Sequence, residues 1–351
     1  MALPIWRIVI PDQEQRVLRE NIWNGTFADG FYVHKGNMEQ IKLRYRGGHT
    51  REYKKKSYEI VKDGYTYHFN AEYDDPSMIR NALSFRFFEL LGVPCPRTEH
   101  VLLFINGKSA GVYLKLEAVD QVFFDKRKIP VESLVYATND DANFRLISPE
   151  TNRKKSSLFD GYRLMIGSRR DKERLIQLIT NLNEMNRQEL YSYLTSKLDI
   201  DNYLRWLVGA VLTGNYDGFN QNYDLYYHKK YRYYRIIPWD YEGTWGRDAY
   251  GRLAGSSPIP ITGDNLLTRR LLAYSSVRSK YKKMLQAALS STFTTNRIAP
   301  IVKQMYRNIS STIHEDPTRR WSTSVFDKEP KLILSYLRER RAVVKKEMSK
   351  L

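Results

Sequence analysis

The stretch 203–248 joins an apolar helical run to two aromatic-rich segments through acidic turns. The apolar run ends at an Asp-Gly turn that contains Asp217, and Asn222 follows five residues later. Apolar and aromatic residues between turn signals predict two short strands, Tyr223–Tyr227 and Tyr233–Ile237. These strands would form a hairpin, and Asn222 and Asp240 would then lie at the same end of it.

This order of polar side chains is the one that phosphoryl-transfer enzymes of the protein-kinase type use. Asp217 could orient an accepting hydroxyl, whereas Asn222 and Asp240 offer the oxygen ligands that Mg²⁺ prefers. Each feature also occurs often by chance, because an Asp-Gly pair usually marks only a turn. A kinase-type site therefore requires a cation for the phosphates elsewhere in the chain.

The composition is compatible with several classes of partner. The 351 residues suffice for one large domain or two lobes, and 42% of them are apolar. The net charge of +18 would attract nucleotides, acidic proteins or nucleic acid. The one cysteine, Cys95, rules out an internal disulfide. Because no apolar window is long enough for a membrane span or a signal peptide, we expect an intracellular protein without membrane contacts.

The order of elements predicts an α+β chain. Short strands and hairpin turns predict a twisted antiparallel sheet in the N-terminal third. A helix that begins at Asp75 and ends at Leu91 is predicted to have one apolar face. Periodic apolar residues predict further helices, namely 172–183, 187–197, 200–212, 265–273, 277–289, 295–310 and 329–349. We therefore expect a sheet-rich N-terminal lobe over about 1–118, a hinge near 113–120 and a mainly helical lobe over about 119–351.

A basic run follows a Gly-containing loop in the N-terminal part. Residues 54–61 alternate like a strand and begin with Lys54, Lys55 and Lys56. A lysine on a strand that faces a cleft could hold the inner phosphates of a nucleotide, although a solvated basic run explains some of these residues equally well. The sequence has no G-x-x-x-x-G-K-[ST], no G-x-G-x-x-G and no H-R-D motif. This disfavours both a P-loop enzyme and an ordinary protein kinase.

Six blocks of sequence resemble the CotH family of atypical spore-coat protein kinases, and they occur in the family's order. They are Arg44-Tyr-Arg-Gly-Gly-His-Thr-Arg-Glu-Tyr-Lys-Lys-Lys-Ser-Tyr, Asn70-Ala-Glu-Tyr with Asp75-Pro-Ser-Met-Ile-Arg-Asn, Asn106-Gly-Lys-Ser-Ala-Gly-Val-Tyr-Leu-Lys-Leu-Glu, Asp140-Asp-Ala-Asn-Phe, Asn215-Tyr-Asp-Gly-Phe and Ile237-Pro-Trp-Asp-Tyr-Glu-Gly-Thr-Trp-Gly-Arg-Asp. The resemblance covers nearly the whole chain. It implies a single domain with an atypical, two-lobed protein-kinase-like fold that uses ATP and Mg²⁺, or Mn²⁺ in its place.

The resemblance also implies a biological setting. Its substrates would be Ser or Thr residues of spore-coat proteins, in Lys/Arg-rich tails, and phosphorylation would be needed for coat assembly and germination. The protein would reside in the mother-cell cytoplasm and then in the spore coat. We expect a monomer.

By the same resemblance, Asp217 matches the catalytic Asp and Asp240 the metal-binding Asp. Asn222 falls where the second metal ligand would lie. Lys55 matches the first lysine of the family's Lys-Lys-Ser-Tyr run and is our candidate for the phosphate-binding lysine, with Lys56 as the competitor.

Other candidate nucleotide contacts are less specific. Glu117 ends a strand where a kinase-like hinge would meet the adenosine, although a strand-end Glu is equally often a surface residue. Arg80 could support a phosphate or form a structural ion pair, and His49 lies in the Gly-containing loop. Glu72 and Glu89 are the two candidates for the ion-pair partner of the lysine.

Three alternatives to a protein kinase remain. A kinase-like assembly scaffold without strong activity would fit the same fold. Nucleotidyl transfer could use the same ligands with an inverted nucleotide. Nucleic-acid binding is suggested by the charge and by the Lys, Arg and Tyr residues of 226–235, but the hairpin explains that segment better.

Overall fold

The computed structural model describes residues 2–351. Seven strands of the N-terminal part close into a barrel, in the order β1–β2–β3–β4–β5–β7–β6. They are β1 (Ile5–Val9), β2 (Ala28–His34), β3 (Asn37–Arg46), β4 (Ser57–Lys62), β5 (Tyr65–Asn70), β6 (Thr98–Ile105) and β7 (Lys108–Glu117). The expectation of an antiparallel sheet was incomplete, because β1 closes the barrel by parallel pairing with β6. Closure leaves no exposed sheet edge.

The barrel encloses its own apolar core. Residues of β1 alternate between exposed and buried, and Trp6 and Ile8 point inward. Inward residues of the other strands complete this core, among them Ile41, Leu43, Ile60, Phe69, Val101 and Leu103. A short helix, α1 (Asp12–Glu20), contributes the buried Leu18 to the same cluster. The barrel is therefore a rigid frame for the loops at its ends.

A second sheet lies in the C-terminal part and has the order β11–β10–β8–β9. Its strands are β8 (Val131–Ala137), β9 (Tyr162–Ile166), β10 (Tyr223–His228) and β11 (Tyr234–Pro238). The hairpin predicted from the aromatic segments is confirmed as β10–β11. Every residue of β10 is buried, because β10 also pairs with β8 and is therefore a central strand of the sheet. The local sequence pattern did not predict this second pairing.

The remaining elements are helices, and their positions agree well with the periodicity of the sequence. They are α3 (Gln121–Lys126), α4 (Arg169–Glu184), α5 (Arg187–Lys197), α6 (Ile200–Thr213), α7 (Leu266–Leu272), α8 (Ser275–Ser290), α9 (Thr295–His314), α10 (Thr323–Phe326) and α11 (Glu329–Glu347). The mixed α+β organisation with helices in the C-terminal part is thus confirmed. Within residues 2–351, no helix combines the length and apolarity needed to cross a membrane.

The helix predicted from Asp75 begins later, as α2 (Arg80–Leu90). The Asp75 carboxylate accepts hydrogen bonds from the backbone N–H groups of Ser77 and Arg80, so it organises a turn before the helix. Met78 has a positive φ of 59°, which is incompatible with a helix. Eight of the eleven α2 residues are buried, so the prediction of a single apolar face was wrong. The helix packs against both α6 and α9.

Candidate active-site cleft

One cleft of about 240 Å³ lies where the loops of the barrel meet the acidic turns of the C-terminal part. One wall consists of the Gly-containing loop after β3 and the segment after β5. The opposite wall carries Asp217, Asn222 and Asp240. The three polar residues of the 203–248 stretch are therefore brought together in one place.

The turn that carries Asp217 is held by Asn215. Helix α6 ends at Gly214, which has a left-handed φ of 78°. The buried Asn215 side chain accepts a hydrogen bond of 3.0 Å from the N–H of Gly218 and donates one of 3.3 Å to the carbonyl of Asp240. Asn215 thus connects the two acidic turns. Sequence reasoning missed this role, although Asn215 stands in the same block as Asp217.

Asn222 and Asp240 lie at one end of the β10–β11 hairpin. The strand pairing ends at Tyr223 and Pro238, and the next hydrogen bond joins the N–H of Trp239 to the carbonyl of Asn222 at 3.1 Å. Within residues 2–351, the side chains of Asp217, Asn222 and Asp240 form no hydrogen bond or ion pair with the protein. Their oxygens are therefore available to a ligand in the cleft.

The carboxylates of Asp217, Asp240 and Glu242 in the cleft are buried close to one another, which raises their pKa values. Burial, together with the charges of Asp240, Asp140 and Asp248, raises the pKa of Asp217 to about 6. Burial also raises the pKa of Asp240, while Arg46 and His49 oppose that shift. The pKa of Glu242, which lines the same cleft, is raised well above its usual value by burial and then by Asp240. A bound cation would relieve this concentration of negative charge.

The donor set fits Mg²⁺ with a nucleotide. No cluster of three His, Cys, Asp or Glu side chains suited to a metal ion occurs among residues 2–351. Mg²⁺ sites in phosphoryl-transfer enzymes do not need such a cluster, because one or two protein oxygens, phosphate oxygens and water complete the shell. Asp240 and Asn222 would supply the protein oxygens here.

Arg46 is a cationic residue of the cleft that sequence reasoning missed. Its guanidinium bonds to the side chain of Asn70 and lies 5.5 Å from the ring centre of Trp239. Among the charges near Asp240, that of Arg46 has the largest effect in lowering the pKa of the Asp240 carboxyl. Its position directly before Gly47 and Gly48 is the signal that could have identified it. His49, in the short 3-10 turn that follows (His49–Glu52), also lines the cleft, as expected.

The three lysines do not lie on a strand. β4 begins only at Ser57, so Lys54 and Lys55 lie in a bend after the 3-10 turn, and Lys56 joins that bend to the strand. Strand alternation therefore does not govern them, and that prediction was wrong. Lys55 is buried and lines the cleft. Lys54 is exposed, and the Lys56 ammonium bonds to the carbonyl of Arg51 without lining the cleft.

The ion-pair partner of Lys55 is Asp316, in the loop after α9. The Lys55 Nζ lies 3.5 Å from Asp316 Oδ2. Neither glutamate considered from the sequence fills this role. Glu72 accepts a hydrogen bond from Asn81, and Glu89 pairs with Arg86 on the surface of α2. Helix periodicity could not reveal a partner that comes from another part of the chain.

Two candidate nucleotide contacts lie outside the cleft, and for Arg80 the alternative of a structural ion pair is the one observed. Glu117 forms an ion pair of 2.6 Å with Arg127 and lies outside the cleft. The end of β7 turns this carboxylate outward, against α3. Arg80 is fully buried, 2.6 Å from both Asp75 and Glu329, and likewise does not line the cleft. Arg80 therefore belongs to a structural network between α2 and α11.

Comparison with known proteins agrees with the resemblance seen in the sequence. Residues 43–344 match the family described as CotH kinase protein. The chain belongs to the CotH family. It is 37% identical to the inner spore coat protein H of Bacillus subtilis (strain 168), over 99% of this chain and 98% of that protein. The inner spore coat protein H-like protein of the same strain is 26% identical, over 95% of this chain and 97% of that protein.

Two solved structures show distant similarity to this CotH-family chain. The Helicobacter pylori proinflammatory kinase CtkA has a TM-score of 0.37 at 12% identity, over 88% of this chain and 95% of that one. A Shewanella oneidensis MR-1 complex of HipA, HipB and operator DNA has a TM-score of 0.41 at 15% identity, over 99% of this chain and 75% of that one. Similarities of this size are too weak to assign a function.

Proposed function

We propose that this CotH-family protein is an ATP- and Mg²⁺-dependent protein Ser/Thr kinase that phosphorylates spore-coat proteins. The observation that carries the proposal is the shared cleft of Asp217, Asn222 and Asp240, whose side chains have no hydrogen-bond or ion-pair partner among residues 2–351. The family description as a kinase supports the same reaction class.

Each residue of the cleft has a role in this proposal. Asp217 orients the accepting hydroxyl and takes up its proton, for which a pKa of about 6 is well suited near neutral pH. Asp240 and Asn222 would hold Mg²⁺, which when bound supplies electrostatic stabilisation of the transferring phosphoryl group. Lys55, Arg46 and His49 line the opposite wall and present cationic or hydrogen-bonding groups to the phosphates. Mn²⁺ would be held by the same oxygens.

The acceptor side of the cleft favours a basic substrate. Asp140 and Asp248 act electrostatically on Asp217, so the acceptor hydroxyl would enter a region of negative charge. A serine with neighbouring Lys or Arg residues complements this region despite the net charge of +18. We therefore propose Ser-containing, Lys/Arg-rich tails of coat proteins as substrates. A nucleic-acid ligand is not needed to explain the charge.

The proposal places the protein in the mother-cell cytoplasm and then in the spore coat, where its action would be needed for coat assembly and germination. Its support is the similarity to an inner spore coat protein along almost the entire chain. We propose that it acts as a monomer, since Lys55, Asp217, Asn222 and Asp240 meet in one cleft of a single chain and the proposed site needs no second copy.

Mass spectrometry of an acceptor peptide tests the reaction. The purified protein is incubated with ATP, Mg²⁺ and a Ser-containing, Lys/Arg-rich peptide, and EDTA is the control. A phosphoryl increment on serine that requires metal is expected. A nucleotidyl increment would replace the proposal by nucleotidyl transfer on the same site. No modification of any coat-derived peptide, under conditions in which ATP binds, would favour a scaffold.

A further inference from the structure

An ion pair hydrogen-bonds to the backbone of β7 beyond the point where the pairing of β7 with β5 ends. The pairing of β5 with β7 ends at Asn70 and Leu114, and the chain then turns away at Glu72, which has a φ of 45°. Two residues before Leu114 in β7, Val112 donates its N–H to Asp316 Oδ2 at 2.9 Å. The carbonyl of the same Val112 accepts a hydrogen bond of 2.6 Å from Lys55 Nζ. The two charged side chains thus satisfy the backbone that β5 leaves free.

The Lys55–Asp316 pair is almost completely buried. The exposed fractions of the two side chains are 3% and 1%. The ammonium also lies 4.7 Å from the ring centre of Tyr113. An unpaired charge at this depth would be costly, so each member depends on the other to remain ionised. Among residues 2–351, Asp316 is the one carboxylate within ion-pair distance of Lys55.

Asp316 is held firmly in place. Its Oδ1 accepts hydrogen bonds from the N–H and the hydroxyl of Thr318, at 2.8 and 2.6 Å. Gly111 of β7 makes room for it, because a Cβ at that position would lie 2.3 Å from Asp316 Oδ2. The approach of Asp316 to β7 therefore requires glycine at position 111. The carboxylate has little freedom to follow a moving lysine.

The loop that carries Asp316 is also attached to the wall of the cleft. Arg319 donates a hydrogen bond of 2.8 Å to the carbonyl of Pro76, and Trp321 donates one of 3.1 Å to the carbonyl of Asp74. Arg320 forms an ion pair with the Asp74 side chain. Since Asp74 lines the cleft, the loop joins the helical part to the barrel beside the candidate nucleotide site.

We propose that Asp316 is the positioning residue for Lys55, and that it fills the role that a helix glutamate fills in ordinary protein kinases. An ammonium has three N–H donors. Two of them are directed at Val112 and Asp316, which leaves one for an anion in the cleft that Lys55 lines. This inference rests on the proposed nucleotide-binding role of Lys55. It assigns the partner to the loop between α9 and α10 and not to α2.

The charge state of Lys55 offers a readout that does not depend on activity. Burial lowers the pKa of Lys55 to about 8; the charge of Asp316 and, more weakly, that of Glu72 oppose this shift, whereas Arg319 adds to it. Labelling with an amine-reactive reagent, without nucleotide, can be followed by mass spectrometry as a function of pH. Lys54 serves as the exposed internal reference in the same stretch. In Asp316→Asn, half-maximal labelling of Lys55 should move to lower pH.

The kinetic part of the test compares Asp316→Asn with Asp327→Asn. Asp327 is an exposed aspartate in the same region, paired with His314, and has no contact with Lys55. We expect kcat/KM for ATP·Mg²⁺ to fall about 10- to 100-fold in Asp316→Asn. Its alkaline limit should also move to lower pH, since Lys55 loses its proton earlier. Asp327→Asn should match the wild type in both respects.

Different outcomes separate this inference from the proposed function. An active wild type, together with unchanged kinetics and labelling in Asp316→Asn, would overturn the positioning role alone. A wild type that neither binds ATP·Mg²⁺ nor transfers phosphate would overturn the proposed function and this inference with it. If Asp316→Asn does not fold, Asp316→Glu replaces it. That variant keeps the charge, so the alkaline limit should stay while kcat/KM falls, and a shifted limit would contradict the role.

Discussion

The N–H of Trp239 donates a hydrogen bond of 3.1 Å to the carbonyl oxygen of Asn222. This bond extends the pairing of β10 and β11 by one residue pair at the open end of the hairpin, and so holds Asn222 close to the residue before Asp240. Asn222 and Asp240 both have a left-handed backbone, with φ values of 58° and 54°. Asn and Asp tolerate that region better than other non-Gly residues. Backbone geometry and the proposed metal chemistry therefore select the same residue types at these two positions.

Asp240→Asn should abolish most phosphate transfer without unfolding the protein. Asn keeps the left-handed backbone but removes the anionic ligand, so we expect activity to fall by about 100- to 1000-fold. Transfer of labelled phosphate from ATP to the acceptor peptide measures the loss. Asp264→Asn, at an exposed residue that does not line the cleft, is the matched control. Full activity of Asp240→Asn would remove Asp240 from the site.

Asp217→Asn should lose most of its activity and be more stable than the wild type. The pKa of Asp217 is raised to about 6 from an ordinary value near 3.8, mainly by burial. The folded protein therefore binds this proton more tightly than the unfolded chain, and stability is lost as the pH rises from about 4 to 6. At pH 7 the neutral Asn should increase the free energy of unfolding by about 1–2 kcal/mol. Urea unfolding without metal or nucleotide measures this change.

The same pKa predicts how activity depends on pH. Asp217 must be ionised to accept the proton of the hydroxyl, so kcat should fall at acid pH, with a limit no higher than about 6. Bound Mg²⁺ beside Asp240 would move this limit to lower pH, because a nearby cation favours the carboxylate. Residual activity of Asp217→Asn should lack this acidic limit. An unchanged limit in that variant would assign it to another group.

Local sequence patterns were sufficient for the part of the site that the chain builds from neighbouring residues. The turn of Asp217 and the hairpin between Asn222 and Asp240 use hydrogen bonds within one short stretch, so turn residues and alternation predict them. The same holds for most helices, whose apolar periodicity reflects one buried face. In contrast, α2 is buried on nearly all sides, and its apparent single face was misleading.

Contacts between distant residues could not be derived in this way. Closure of the barrel pairs Ile5 with Leu102, and no local turn signals a parallel partner. Lys55 and Asp316 meet only because the loop after α9 returns to β7. The prediction that the lysine run alternates as a strand was wrong for a related reason, because a 3-10 turn occupies His49–Glu52 and β4 begins only at Ser57. Such pairings depend on the packed fold and not on the neighbouring sequence.

Arg80→Met should reduce stability while leaving nucleotide binding intact. Arg80 is fully buried between Asp75 and Glu329, so its removal leaves buried carboxylates without a partner. Loss of one member of a buried pair costs about 3–5 kcal/mol, and the remaining Arg247–Glu329 pair should keep the loss toward the lower value. Chemical unfolding measures this change, with Arg86→Met on the exposed face of α2 as control. Weaker ATP binding at full stability would instead support the nucleotide role.

Gly111→Ala should destabilise the barrel more than Gly107→Ala in the same hairpin. Both glycines have left-handed backbones, with φ values of 89° and 77°, so both substitutions share a backbone cost of about 1–2 kcal/mol. A Cβ at Gly107 meets nothing within 4 Å, whereas at Gly111 it would lie 2.3 Å from Asp316 Oδ2. The collision should add about 1–3 kcal/mol, because the carboxylate is fixed by Val112 and Thr318. Thermal unfolding of the two variants isolates this difference. Equal losses would mean that Asp316 can move away from β7 at no cost, which is incompatible with a rigid support for Lys55.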